Sequence, residues 1–180
     1  MIGGDVSDQV DIFNILENRI FHEAGHDHGK CRAGALSRAE EVCKARGVRL
    51  TPIRKRVLEL VWRSHKPVGA YDILEWLRDD LHKAQPPTVY RALEFLREHG
   101  LIHRIESLNA FVGCDAAGSS HAGQFLICRC CGRAAELHDT RIVRAVGAAA
   151  HAAGFTIETP TIELTGLCSD CAGTGECSHD

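Results

Sequence analysis

Apolar residues recur at three- and four-residue spacing through roughly the first hundred positions and alternate with polar ones afterwards, a pattern that predicts helices followed by short strands. Val6, Val10, Phe13 and Ile20 mark a short amphipathic helix, and HEAGHDHGKC (22–31) breaks the pattern with Gly and His into a flexible linker. In SRAEEVCKARG, Ser37 and Glu40 form an S-x-x-E capping box and Gly47 supplies a left-handed stop, so a helix is predicted there. Thr51 ahead of Pro52 opens a second helix, with Ile53, Val57, Leu60 and Val61 as its buried stripe. After the turn KPVG, Ile73, Leu74, Leu77 and Leu81 share one face of a third. PPTVYRALEFLREHG repeats the proline device: Thr88 caps, Val89, Leu93 and Leu96 face the core, and Gly100 ends a fourth helix. LIHRIE and AFVGC then alternate on either side of Ser107, Leu108 and Asn109 as a β-hairpin. Three or four helices closed by a hairpin make a winged helix-turn-helix.

GCDAAGSSHAG (113–123) is a small-residue linker and the natural domain boundary. Beyond it the pattern predicts strands at QFLIC and RAAEL, a helix from Thr140 to Ala153 stopped by Gly154, and strands at FTIET and TIELTG. The expected organisation is an α+β chain. An extension (1–35) precedes a winged-helix domain (36–113), a hinge (114–123), a small α/β domain (124–172) and a tail (173–180).

The cysteines change this picture most. Cys128 and Cys131 form one C-x-x-C and Cys168 and Cys171 another, each at a predicted strand end. Two such knuckles can bring four thiolates to the corners of a tetrahedron around zinc. In C-R-C-C only the outer pair has the two intervening residues that let both sulfurs turn to one ion, so Cys130 is expected to point away. A thioredoxin-like pair needs a single C-x-x-C ahead of a helix, and here there are two around a small sheet. A domain of this size also buries too little surface to be secure without a metal or a partner.

Charge narrows the function class. The chain carries 21 basic and 24 acidic side chains. The excess of basic residues falls between positions 36 and 113, while both ends are acidic, so the middle is the segment suited to nucleic acid. The helix from Pro87 to His99 offers Thr88, Tyr90 and Arg91 in its first exposed turn for base edges, and Arg49, Arg54 and Lys55 suit the phosphates. No run approaches the roughly 20 apolar residues of a membrane span, and MIGGDVSDQVDIF lacks a basic start followed by an apolar block, which makes the cytoplasm the default address. Nine cysteines in such a chain are expected to be reduced, for metal. An enzyme is not expected: H-E-x-x-H and the deaminase pattern H-x-E with P-C-x-x-C are both missing.

RLTPIRKRVL, AYDIL, PPTVYRALEFL, HRIES, the C-R-C-C-G knuckle and GLCSDC, in this order from about Ser37 to Cys171, resemble the ferric uptake regulator family in its zinc-sensing branch. The resemblance implies a homodimeric repressor whose C-terminal domain dimerises and which binds operator DNA of zinc-uptake genes when zinc is plentiful. It also implies a second, regulatory zinc held by His103, Cys114, His121 and Glu136, in addition to the structural one, so two ions per chain. One thiolate, two imidazoles and a carboxylate suit Zn²⁺ better than harder ions. A sensor of another metal, or of thiol oxidation through Cys130 or Cys114, is the alternative. His22, His26 and His28, with Cys31, are candidates for an extra metal site, and Cys177 and His179 for a weaker one.

Overall fold

The protein is described from a computed structural model covering residues 20–21, 27–81, 85–119 and 121–174. The helix expected around Val6, Val10 and Phe13 lies outside these residues, as do His22, His26, Cys177 and His179.

The first domain consists of α1 (His28–Ala45), α2 (Pro52–Val61), β1 (Val68–Gly69), α3 (Ala70–Leu81), α4 (Pro86–Glu98), β2 (Ile102–Ile105) and β3 (Ala110–Gly113). Its three strands form a sheet in the order β1-β3-β2, both pairings antiparallel. Val57, Val61, Ile73, Leu77, Val89, Leu93 and Leu96, all fully buried, come from the predicted stripes of α2, α3 and α4 and meet in one core together with Leu58. Helices and wing therefore stand where the hydrophobic period placed them.

The helix starts differ from expectation. α1 begins at His28, nine residues before the Ser37 capping box, because the Asp27 carboxylate accepts the Gly29 N–H at 2.9 Å and caps the helix there. The stretch HGKC, expected in the linker, is thus helical, and Ser37 and Glu40 sit mid-helix. Neither Thr51 nor Thr88 makes a side-chain capping bond. In α4 the prolines themselves take the first two helical positions, where an N–H would have no intrahelical partner, and Gln85 becomes the N-cap.

The second domain consists of β4 (Gly123–Cys128), β5 (Ala134–Glu136), α5 (Thr140–Ala152), β6 (Thr161–Gly166) and α6 (Ser169–Thr174). The sheet order is β5-β4-β6, with β4 antiparallel to β5 and parallel to β6. The strand expected at FTIET does not form. A parallel return needs a crossover, and residues 155–160 are the chain that brings α5 back to β6. The residues expected as tail after Cys171 continue α6 to Thr174 instead.

Among the described residues, these ties join the two domains. Ile105 and Val112 of the wing pack on Phe125 and Ile127 of β4. The Ala134 N–H donates to the His65 carbonyl at 3.0 Å. The Glu163 carboxylate of β6 accepts the backbone N–H groups of Glu106 at 2.6 Å and Ser107 at 3.1 Å, at the wing tip. A further tie is the side-chain cluster of the next section. The expected hinge is in part folded onto the first domain: Cys114 is buried and Ala117 packs on the core. Gly113, directly before Cys114, lies against Trp62 so closely that an added Cβ would fall inside the indole. Gly113→Ala is therefore expected to destabilise the wing by about 3 kcal/mol, as overpacking does. A thermal melt followed by the fluorescence of the two tryptophans checks this.

Candidate functional site

Two clusters of metal-ligating side chains are present among the described residues, and each brings four ligand atoms within 4.8 Å of one another. The first is Cys128, Cys131, Cys168 and Cys171. β4 ends at Cys128, and Gly132, at φ +72°, lets the chain double back so that its N–H reaches the Cys128 carbonyl at 2.9 Å. β6, parallel and in register with β4, delivers the second knuckle beside the first. The Sγ atoms of Cys131 and Cys168 are 3.9 Å apart, near the roughly 3.8 Å edge of a tetrahedron with 2.3 Å Zn–S arms. Burial pushes the Cys128 thiol up, but the N–H groups of Cys168, Cys131 and Cys130 outweigh it and hold the group below the ordinary thiol value. Burial and its three neighbouring cysteines push Cys171 up. Arg133 adds two further contacts, Nε to Cys131 Sγ at 3.2 Å and Nη2 to Cys168 Sγ at 3.4 Å, while its salt bridge to Asp170 at 2.6 Å ties the knuckles together. Cys130 is buried and packs with Cys128 and Cys168, but it is not one of the four ligand-bearing cysteines.

The second cluster is His103, Cys114, His121 and Glu136. β2 supplies His103, the residue after β3 supplies Cys114, the linker supplies His121, and β5 ends on Glu136. The Nε2 atoms of both imidazoles converge on Glu136 Oε1, at 2.9 Å from His103 and 2.7 Å from His121. The two Nε2 atoms are 3.1 Å apart, and Cys114 Sγ is 3.5 Å from His121 Nε2. These separations lie close to the edges, about 3.3 Å, of a tetrahedron with arms of 2.0–2.1 Å, so the four residues fit one zinc ion. Glu136 is buried, which alone would raise its carboxyl. The hydrogen bond and charge of His103, the Asp115 N–H on Oε2 at 3.1 Å and the charge of His121 outweigh this and bring it below the ordinary carboxylate value. Burial, with the Glu136 charge beside it, pushes the Cys114 thiol up to about 12. A buried carboxylate facing two imidazoles and a thiol is a donor set that suits a divalent zinc ion.

The candidate DNA-binding residues lie on α2, on α4 and in the turn before α2. Thr88, Tyr90 and Arg91 are exposed in the first turns of α4. Tyr90 lines a cleft of about 450 Å³ together with Tyr71, Arg97, Arg104 and Asn109. Tyr71, 73% exposed at the start of α3, was missed in the sequence, although an aromatic off the Ile73, Leu74 and Leu77 stripe is the signal that could have found it. Arg49 is exposed. The Arg54 guanidinium lies 3.5 Å from the centre of the Phe95 ring and donates to the Arg49 carbonyl at 2.7 Å, so it braces the turn before α2. Lys55 pairs with Glu40 at 2.7 Å on the surface, a contact weak enough to exchange for a phosphate. His28 starts α1 with its ring centroid 4.8 Å from that of His65, and belongs to neither metal cluster.

A winged helix joined through a Cys, His and Glu cluster to a cysteine-knuckle sheet defines a member of the winged-helix class with two candidate metal sites. The chain matches the ferric uptake regulator family over residues 45–165 and belongs to that family. It is 39% identical over 145 residues to the zinc uptake regulation protein of Escherichia coli (strain K12), covering 80% of this chain and 85% of the relative. A solved zinc uptake regulator complexed with zinc and DNA superposes with a TM-score of 0.76 at 37% identity, covering 81% of this chain and 98% of that one. Holo XcZur gives 0.71 at 45% identity, covering 77% and 97%. Among the described residues no helix is long and apolar enough to cross a membrane.

Proposed function

We propose that the chain is a zinc-responsive transcriptional repressor that acts as a homodimer on operator DNA of zinc-uptake genes, with one structural and one regulatory zinc per chain. The observation that carries this reading is the origin of the second cluster: His103 and Cys114 come from the wing, His121 from the linker and Glu136 from the second domain. Zinc, when bound, supplies short directional bonds that fix these four groups relative to one another. His103 and Cys114 thereby hold the wing, and with it α4, at a set angle to the second domain. The cysteine quartet holds the second domain itself together.

Dimerisation is supported by the apolar surface of that domain. α5 has no buried residue, and Val146, Phe155, Leu164 and Leu167 are exposed. A second copy covering them would present two copies of α4, which reading two successive major-groove turns requires to stand about 34 Å apart. Thr88, Tyr90 and Arg91 then face base edges with Tyr71 beside them, and Arg49, Arg54 and Lys55 face phosphates.

Arg91→Ala tests the head apart from the sensor. The expected result is a loss of about 1–3 kcal/mol in operator affinity with relaxed specificity at one base position, and unchanged zinc content. Equal operator affinity in the variant would remove Arg91 from base readout.

The wing-tip contact makes a further prediction. Slight burial raises the Glu163 carboxyl, but the side chain of Ser107 and the backbone N–H groups of Glu106 and Ser107 bring it below its ordinary value of 4.5. A lowered acid stabilises where it is ionised, so this contribution is complete above about pH 4.5 and is lost as pH falls through the lower folded value. At neutral pH, Glu163→Gln is expected to speed hydrogen exchange at the Glu106 and Ser107 amides, leaving both metal clusters intact.

A further inference from the structure

The regulatory cluster is nearly closed to solvent. Relative exposure is 1% for the Cys114 residue, and for the side chains it is 2% for Glu136, 16% for His121 and 17% for His103. An ion held by four such groups has no open coordination position, yet a sensor must gain and lose its signal. His138 is an exposed imidazole beside Glu136. It follows Glu136 by two residues, and alternate residues of an extended chain project to the same side. Its side chain is 44% exposed, its Nε2 lies 3.9 Å from Glu136 Oε2, and its ring centroid is 5.4 Å from that of His121.

Glu136 therefore has two faces. Oε1 is turned inward to both site imidazoles, whereas Oε2 accepts the Asp115 N–H and looks outward to His138. We propose that His138 is the loading and release ligand of the regulatory site, donating Nε2 transiently to an ion that Glu136 and His121 still hold, and taking no part in the resting tetrahedron. Zinc tolerates a fifth ligand in passing. A fifth donor beside Glu136 lets inner bonds break one at a time, and no step requires a bare ion. This inference rests on the zinc-sensing reading of the site.

The test uses the full-length protein loaded with two zinc ions per chain. Release is followed by stopped flow into excess chromogenic chelator, and uptake is followed from buffered zinc, for the wild type and His138→Asn. Both rates are expected to fall together and by the same factor. The equilibrium zinc affinity is expected to stay unchanged, because loading and release share one path. The visible spectrum of the Co²⁺-substituted regulatory site stays four-coordinate and unchanged. Unaltered rates would overturn the proposal. A weakened affinity would do so too, making His138 a resting ligand if the Co²⁺ spectrum changes, or a mere prop for Glu136 if it does not. Failure of the zinc-sensing reading itself would show separately, as a wild-type protein that takes up a single zinc per chain.

Discussion

Cys114→Ser is expected to abolish the zinc-dependent gain in operator affinity while leaving a folded protein that retains its cysteine-bound zinc. The side chain is buried at the junction of wing and linker, and its sulfur is the one soft donor of the regulatory cluster. Serine keeps the volume and removes the thiolate, which is the donor that favours zinc over harder ions. His103, His121 and Glu136 would remain within reach of each other, so residual binding is expected to be weak and unselective. Coupling between an effector and a ligand is commonly worth about 5- to 150-fold in affinity, and that whole factor is expected to vanish. Operator titrations at fixed free zinc, with and without metal, measure it. A zinc dependence equal to that of the wild type would place the sensor elsewhere.

Cys168→Ser is expected to be the more damaging substitution, and by a different route. Cys168 is buried, its N–H reaches Cys128 Sγ at 3.4 Å, and its own Sγ lies against Cys131 and Arg133. The apolar tie between the domains contains only Ile105, Phe125 and Ile127 as buried members, with Val112 and Ala134 partly buried beside them. So small a core does not hold the β5-β4-β6 sheet alone. Structural zinc in small domains contributes about 10–16 kcal/mol in apparent terms at neutral pH. Losing it is expected to unfold the second domain and the dimer with it, while α1 to α4 remain helical. Circular dichroism with size-exclusion chromatography separates the two results: a folded monomeric head is expected, and an intact dimer with one zinc fewer would contradict the structural role.

How much of this was legible before folding depended on whether a signal was local. α2 and α4 were readable because proline opens them and a regular apolar stripe follows, and the quartet because each knuckle carries its own spacing. α1 was misjudged at its start, since Asp27 sits among Gly and His residues that read as linker, and its capping role depends on the conformation it helps to fix. β1, two residues long, is too short for any periodicity. The regulatory cluster has no local pattern at all: His103, Cys114, His121 and Glu136 come from four separate segments, and only the family resemblance pointed to them together. Glu163, Tyr71 and His138 acquire their meaning from partners that only the fold brings close.

Operator affinity measured against the number of zinc ions bound per chain, as free zinc is lowered with a graded chelator, tests the coupling of metal to DNA most directly. Affinity is predicted to fall in step with loss of the second ion, while the first ion and the fold persist. Full operator affinity in protein that retains one zinc per chain would contradict the account.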